Sequence, residues 1–248
     1  MIISVKPLVG AILKRVTVCG AALLELSSCA ANQGAVVQSC SAVQAVVARQ
    51  RDNLVRLLPC LNDPKCSSVV EPEDLGPTCR STTHVWARSA DRRFIVIRDL
   101  KMCEEKARQH DARFVHGLAI PLTRVWGVED EQLYAAPEQN GIWQLAWDAA
   151  LAHGLREDEI ALVANPPAVR SQNQLHIHIV RRNGAALPPA IALTGLGDVW
   201  VRVAEAGKNI GCRNYGILIH KSGGVFRLLV EAPDDGHNPE DKYTVYQR

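Results

Sequence analysis

The chain has 248 residues, 47% of them hydrophobic, which is enough to bury a full core in one domain with a tail. Its formal charge is only +2, and the segment ahead of residue 29 (Lys6, Lys14 and Arg15 against Glu25) accounts for that surplus. The remainder is near neutral, which argues against a nucleic-acid surface.

In chain order the first feature is Lys14-Arg15 ahead of an apolar run from Val16 to Leu24 that ends in small residues and Cys29. This pattern predicts an export signal or anchor over residues 1–28. The run is too short to span a bilayer alone. Leu26-Ser27-Ser28-Cys29 is similar to a bacterial lipobox, whose cysteine carries lipid after cleavage. The competing readings are an ordinary N-terminal helix, or an uncleaved anchor that also uses Leu8 to Leu13. Either export reading puts the body outside the cytoplasm. Beyond Cys19 and Cys29, the six cysteines Cys40, Cys60, Cys66, Cys79, Cys103 and Cys212 form an even set suited to an oxidising compartment, with their pairing open. Zinc is the weaker reading, since no Cys-x-x-Cys pair occurs.

Residues 29–83 read as a Cys-containing lead-in. Val43, Val46, Val47, Leu54, Leu57 and Leu58 recur at helical intervals, which predicts one helix over Ser41 to Leu58, ended by Pro59. The prolines and cysteines of residues 59–83 predict an irregular, disulfide-stapled connection. The compact body is expected over residues 84–248.

Within that body, Phe94-Ile95-Val96-Ile97 and the run Val115 to Ile120 predict two buried strands, separated by the polar segment Arg98 to Arg113. Trp143 to Leu151 presents a helical apolar face stopped by Gly154. Trp126, Trp143, Trp147 and Trp200 are candidates for a membrane boundary, though the helical spacing of Trp143 and Trp147 better suits core packing. Ile160 to Asn165 predicts a third strand, turned by Pro166-Pro167. Leu175 to Val180 predicts a fourth, in which alternation sets His176 and His178 on one face and Leu175, Ile177 and Ile179 on the other. Tyr215 to Ile219 and Val225 to Val230 flank Ser222-Gly223-Gly224 as a hairpin, and the tail from Pro233 onward is expected to be loose. The fold class is α+β, with a central antiparallel sheet and flanking helices.

Two imidazoles at alternate strand positions stand about 7 Å apart, close enough to address one phosphate. A neutral imidazole is a competent nucleophile, and a second can manage a proton. By spacing alone, structural histidines, metal ligands and catalytic groups all remain open. Asn165, Arg170, Ser171, Gln172, Asn173 and Gln174 gather polar groups where the histidine strand begins; the first five are the candidate substrate-binding residues, and Gln174 is grouped with His176 and His178 as a candidate catalytic residue. Taken singly, they also suit a polar turn.

Asn165, a short loop, Ser171 and then Gln174-Leu175-His176-Ile177-His178 is similar to the histidine-triad signature, and the run Ser171 to Ile179 resembles that of CDP-diacylglycerol pyrophosphatases. Phe94 to Leu100, Leu118 to Glu129, Trp143 to Trp147 and Tyr215-Gly216-Ile217 resemble further segments of that family in the same order. The resemblance implies a histidine-triad fold over the body, with His176 as nucleophile and His178 as its partner. It departs at Gln174, which stands where the first triad histidine is expected and cannot titrate. The implied reaction is hydrolysis of CDP-diacylglycerol, a membrane lipid, to CMP and phosphatidate through a cytidylyl-histidine. It implies no cofactor and no obligatory metal, membrane association, and no nucleic-acid partner; it leaves the oligomeric state open. Two alternatives are a hydrolase or transferase of soluble dinucleotides and a non-catalytic exported binding lipoprotein.

Overall fold

The computed structural model describes residues 40–47, 51–63, 69–70, 83–99, 102, 114–233 and 237–245. The export segment with Cys19 and Cys29, the cysteines Cys66, Cys79 and Cys103, and most of the polar segment 98–113 lie outside the described residues.

The strands are β1 (Val69–Val70), β2 (Thr83–Arg88), β3 (Phe94–Arg98), β4 (His116–Pro121), β5 (Ile160–Ala164), β6 (Ile177–Arg181), β7 (Ile191–Ala192), β8 (Gly216–Ser222) and β9 (Val225–Glu231). They form one sheet in the order β1-β2-β3-β4-β6-β5-β8-β9-β7. From β2 to β7 the pairings are all antiparallel; the short β1 adds parallel to β2 at the edge. The four apolar runs predicted as strands lie side by side, as β3-β4-β6-β5. Their residues are buried on both faces, which explains why they read as near-continuous apolar runs.

The helices are α1 (Cys40–Val47), α2 (Asn53–Asn62), α3 (Gln132–Ala135), α4 (Gly141–Ala152), α5 (Val199–Gly207) and α6 (Pro239–Tyr243). Helix α4 covers one face of the sheet, where Trp143, Ala146 and Ala150 join Val96, Ala119, Leu162, Ile177 and Ile179 in the main core. Trp143 and Trp147 are core residues, as their helical spacing predicts, and so is Trp200; only Trp126 of the four tryptophans weighed for a boundary is exposed, at 43%. Gly154, at φ +84°, ends α4. The Leu155 N–H reaches back to Ala150 O and the Gly154 N–H to Leu151 O, the paired bonds of a left-handed helix stop. The β8–β9 hairpin closes through Gly223 and Gly224, whose φ of +59° and +79° suit the two-residue turn that matches strand twist.

The opposite face carries the site. On it Ile95, Ile97, Leu118 and Ile120 meet Leu58 and Leu61 of α2, while Val163, Val180, Leu218 and Leu229 pack beneath Tyr243 of α6. The histidines lie between these two small clusters.

Three expectations need correction. The single helix over Ser41 to Leu58 is two helices, with Arg51 between them bridged to Gln172. Pro59 does not end α2, which runs on to Asn62. Burial of Leu58 and Leu61 on the sheet, with Asn62 Nδ2 donating to Leu58 O and Leu122 O, outweighs the missing proline N–H. The tail is not loose around residue 240 either. Asn238 caps α6 by accepting from the Glu240 and Asp241 N–H groups, with Pro239 at the first helical position, and Glu240 is fully buried.

Candidate functional site

Strand alternation places the two histidines as expected. Leu175, Ile177 and Ile179 enter the core under α4, so His176, His178 and Val180 point to the other face. His176 stands one residue ahead of β6, and its ring centroid is 4.8 Å from that of His178. Both are buried, at 7% and 4% exposure.

The His176 Nδ1 lies 2.8 Å from the carbonyl oxygen of Gln174. A carbonyl only accepts, so Nδ1 carries the proton and the ring lone pair is on Nε2. The local backbone thus selects the tautomer in which Nε2 is nucleophilic.

His178 sits in a denser network. Its register partners are Leu118 on β4 and Val163 on β5, in the centre of the sheet. Its Nδ1 is 2.8 Å from His116 Nε2 and 3.1 Å from Glu240 Oε1. Its Nε2 is 3.2 Å from Asn165 Nδ2, which also donates to Glu240 Oε2 at 2.6 Å. Asp99 completes the cluster, with Oδ2 3.4 Å from His116 Nε2. Asp99, His116 and His178 each offer a ligand atom within 4.8 Å of the others, so these three could hold a metal ion.

Of the sequence candidates, the structure therefore brings together His176, His178 and Asn165. The others are placed differently. Gln174 is fully buried, and its amide holds the loop after β4: Nε2 donates to Pro121 O and Thr123 O, and Oε1 accepts from the Val125 N–H. Arg170 makes a two-pronged ion pair with Glu129. The pair passes so close to Gly127 that a Cβ there would lie 1.9 Å from the guanidinium. Ser171, Gln172 and Asn173 face the start of α2. The Ser171 carbonyl accepts from the Arg51 N–H, Gln172 Oε1 from the Leu54 N–H, and Asn173 Nδ2 donates to Asp52.

His116, Asp99 and Glu240 were not singled out from sequence. His116 interrupts an apolar strand run, and antiparallel pairing of β4 with β6 sets it diagonal to His178, since its own partner is Val180. Glu240 follows Asn238-Pro239, a helix-start pattern that marks a local element but gives no hint of where that element docks.

An α+β protein with an imidazole pair on a central strand, one lone pair on Nε2, and an amide and carboxylate behind the second ring has the groups that nucleophilic or proton-transfer chemistry uses. Residues 106–182 match the family model described as CDP-diacylglycerol pyrophosphatase. The chain is 40% identical over 68 residues to proteins named CDP-diacylglycerol pyrophosphatase from Mycobacterium bovis and Mycobacterium tuberculosis, a stretch covering 25% of this chain and 26% of each relative. It is 41% identical over 68 residues to a Mycobacterium leprae protein, over 25% of each chain. Residues 106–182 are thus similar to the CDP-diacylglycerol pyrophosphatase family. The match spans about a quarter of these relatives' length. The family segment contains His116, Asn165, Gln174, His176 and His178, whereas Asp99 and Glu240 lie beyond its ends.

Proposed function

We propose that the chain, on a histidine-triad type of fold, hydrolyses CDP-diacylglycerol to CMP and phosphatidate with His176 as nucleophile. The observation that carries this is the bond from His176 Nδ1 to Gln174 O, which leaves the lone pair on Nε2. The name shared by the family model and the relatives supplies the substrate.

In the first step Nε2 attacks the cytidylyl phosphorus, an N–P bond forms, and the P–O bond to the phosphatidyl phosphate breaks, releasing phosphatidate. In the second, a water oxygen attacks the same phosphorus, the N–P bond breaks, CMP leaves, and the proton lost by water is available to Nε2. Splitting one hard hydrolysis into two displacements is the advantage of a side-chain nucleophile. His178, 4.8 Å away between centroids, orients the site and handles a proton. With Arg170 engaged by Glu129, its proposed contact to the substrate phosphate requires that ion pair to open.

The proposal extends to location. An exported chain, held at the membrane by residues 1–28 or by lipid on Cys29, meets a bilayer substrate at raised effective concentration. The Cys40–Cys212 disulfide supports an oxidising compartment. No helix among the described residues is long and apolar enough to cross a membrane.

The test is release of CMP from CDP-diacylglycerol in mixed micelles. The wild type is expected to release CMP, His176→Ala none, and His178→Ala to keep a rate reduced roughly 10²–10⁴-fold. Equal turnover by both variants would refute the assignment. Hydrolysis confined to soluble dinucleotides would redirect it to that substrate class. A metal reading is favoured by the Asp99, His116 and His178 grouping. Loss of activity with a chelator and its return with a divalent ion would select that reading.

A further inference from the structure

Glu240 lies outside the family segment, on a helix built from residues 239–243, yet it is fully buried against the histidine strand. Each of its carboxylate oxygens faces a different member of the site: Oε2 takes the Asn165 amide at 2.6 Å, and Oε1 stands 3.1 Å from His178 Nδ1 and 3.7 Å from His116 Nε2.

We infer that Glu240 is a positioning residue that sets the tautomer of His178, so that the C-terminal helix completes the site. A carboxylate oxygen only accepts, so the group that Asn165 turns toward Oε2 is its NH2. That same nitrogen is 3.2 Å from His178 Nε2. Facing a donor, Nε2 must hold the lone pair, and the His178 proton is on Nδ1, 2.8 Å from His116 Nε2 and 3.1 Å from the Glu240 carboxylate. One side chain thereby fixes an amide flip and an imidazole tautomer together, as outer partners of catalytic and metal-binding histidines do. The helix is held for this purpose by the Asn238 cap and by Thr244 Oγ1 donating to Glu240 O. The arrangement also opposes ligation of a metal through His178 Nδ1, which would require the proton to move to Nε2 against the Asn165 NH2.

The catalytic consequence rests on the proposed role of His176 and His178, but the tautomer does not. Nitrogen-15 NMR of the wild-type imidazoles is expected to show His178 protonated at Nδ1 and unprotonated at Nε2. The opposite tautomer would overturn the inference with no variant needed. Glutamine has one oxygen where glutamate has two, so Glu240→Gln turns an NH2 toward either the Asn165 amide or His178 Nδ1. It is expected to shift the His178 nitrogens and to lower kcat about 10–100-fold with KM unchanged. A variant with wild-type kcat and unshifted His178 nitrogens would overturn the inference. If the wild-type enzyme released no CMP while the His178 nitrogens still shifted in Glu240→Gln, the reaction assignment would fail and the positioning role would stand.

Discussion

At the residue scale, the site rests on two hydrogen-bond partners, one an acceptor and one a donor, that leave each ring one choice of proton position. The Gln174 carbonyl does this for His176, and the Asn165 amide for His178. Neither is legible from a His-x-His spacing, which is why sequence alone left nucleophile, ligand and structural histidine open. Another histidine on the same face, His220 on β8, gives a prediction about pH. Burial, with the neighbouring Arg182 and Arg227 guanidiniums, pushes its imidazole down to about 4 from an ordinary 6.5. The unfolded chain therefore takes up a proton at a higher pH than the folded one. The stability from keeping His220 neutral is complete above about pH 6.5 and is lost as the pH falls toward 4. Thermal unfolding of the wild type should drop across that window, and His220→Gln should flatten the drop. An unchanged slope in the variant would assign it to other groups.

The element scale shows what was readable and what was not. Strands β3, β4, β5 and β6 and helix α4 follow from runs and periodicities local to each segment, and the Gly154 stop and Gly223-Gly224 turn from backbone demands that glycine meets. What stayed hidden depends on contacts made far along the chain. Pro59 reads as a helix end, yet α2 continues because Leu61 finds a place on the sheet. Ser171, Gln172 and Asn173 look like ligands for a substrate, yet their contacts run to residues 51–54, more than a hundred positions earlier. The acidic tail reads as loop, yet Glu240 is buried beside His178. The division of faces is testable through α4. Trp143 is fully buried, with its ring centroid 5.0 Å from that of Trp200. Trp143→Ala should destabilise the fold by about 3–5 kcal/mol in urea unfolding while leaving turnover per folded molecule intact, because the site is on the other face. A small loss, below about 1 kcal/mol, would contradict the packing that puts Trp143 at the centre of the core.

At the scale of the whole molecule, the disulfide from Cys40 to Cys212 joins the start of α1 to the turn before β8 across 172 positions. Cys60 is oxidised as well. Closing so long a loop restricts the unfolded chain strongly, so Cys40→Ser should lower stability by about 2–5 kcal/mol. Alkylation of unreduced, denatured protein should leave Cys40, Cys60 and Cys212 unlabelled. Labelling of all three would contradict both the bonds and the exported location proposed from them. The segment that matches the family model, residues 106–182, includes both histidines and Asn165, the side chains to which the proposed chemistry is assigned. The most direct measurement of that claim is mass spectrometry of the protein quenched during turnover of CDP-diacylglycerol. A cytidylyl adduct mapped to His176, present in His178→Ala and absent in His176→Ala, is the predicted result. An adduct on any other residue, or turnover with no adduct and full activity in His176→Ala, would contradict it.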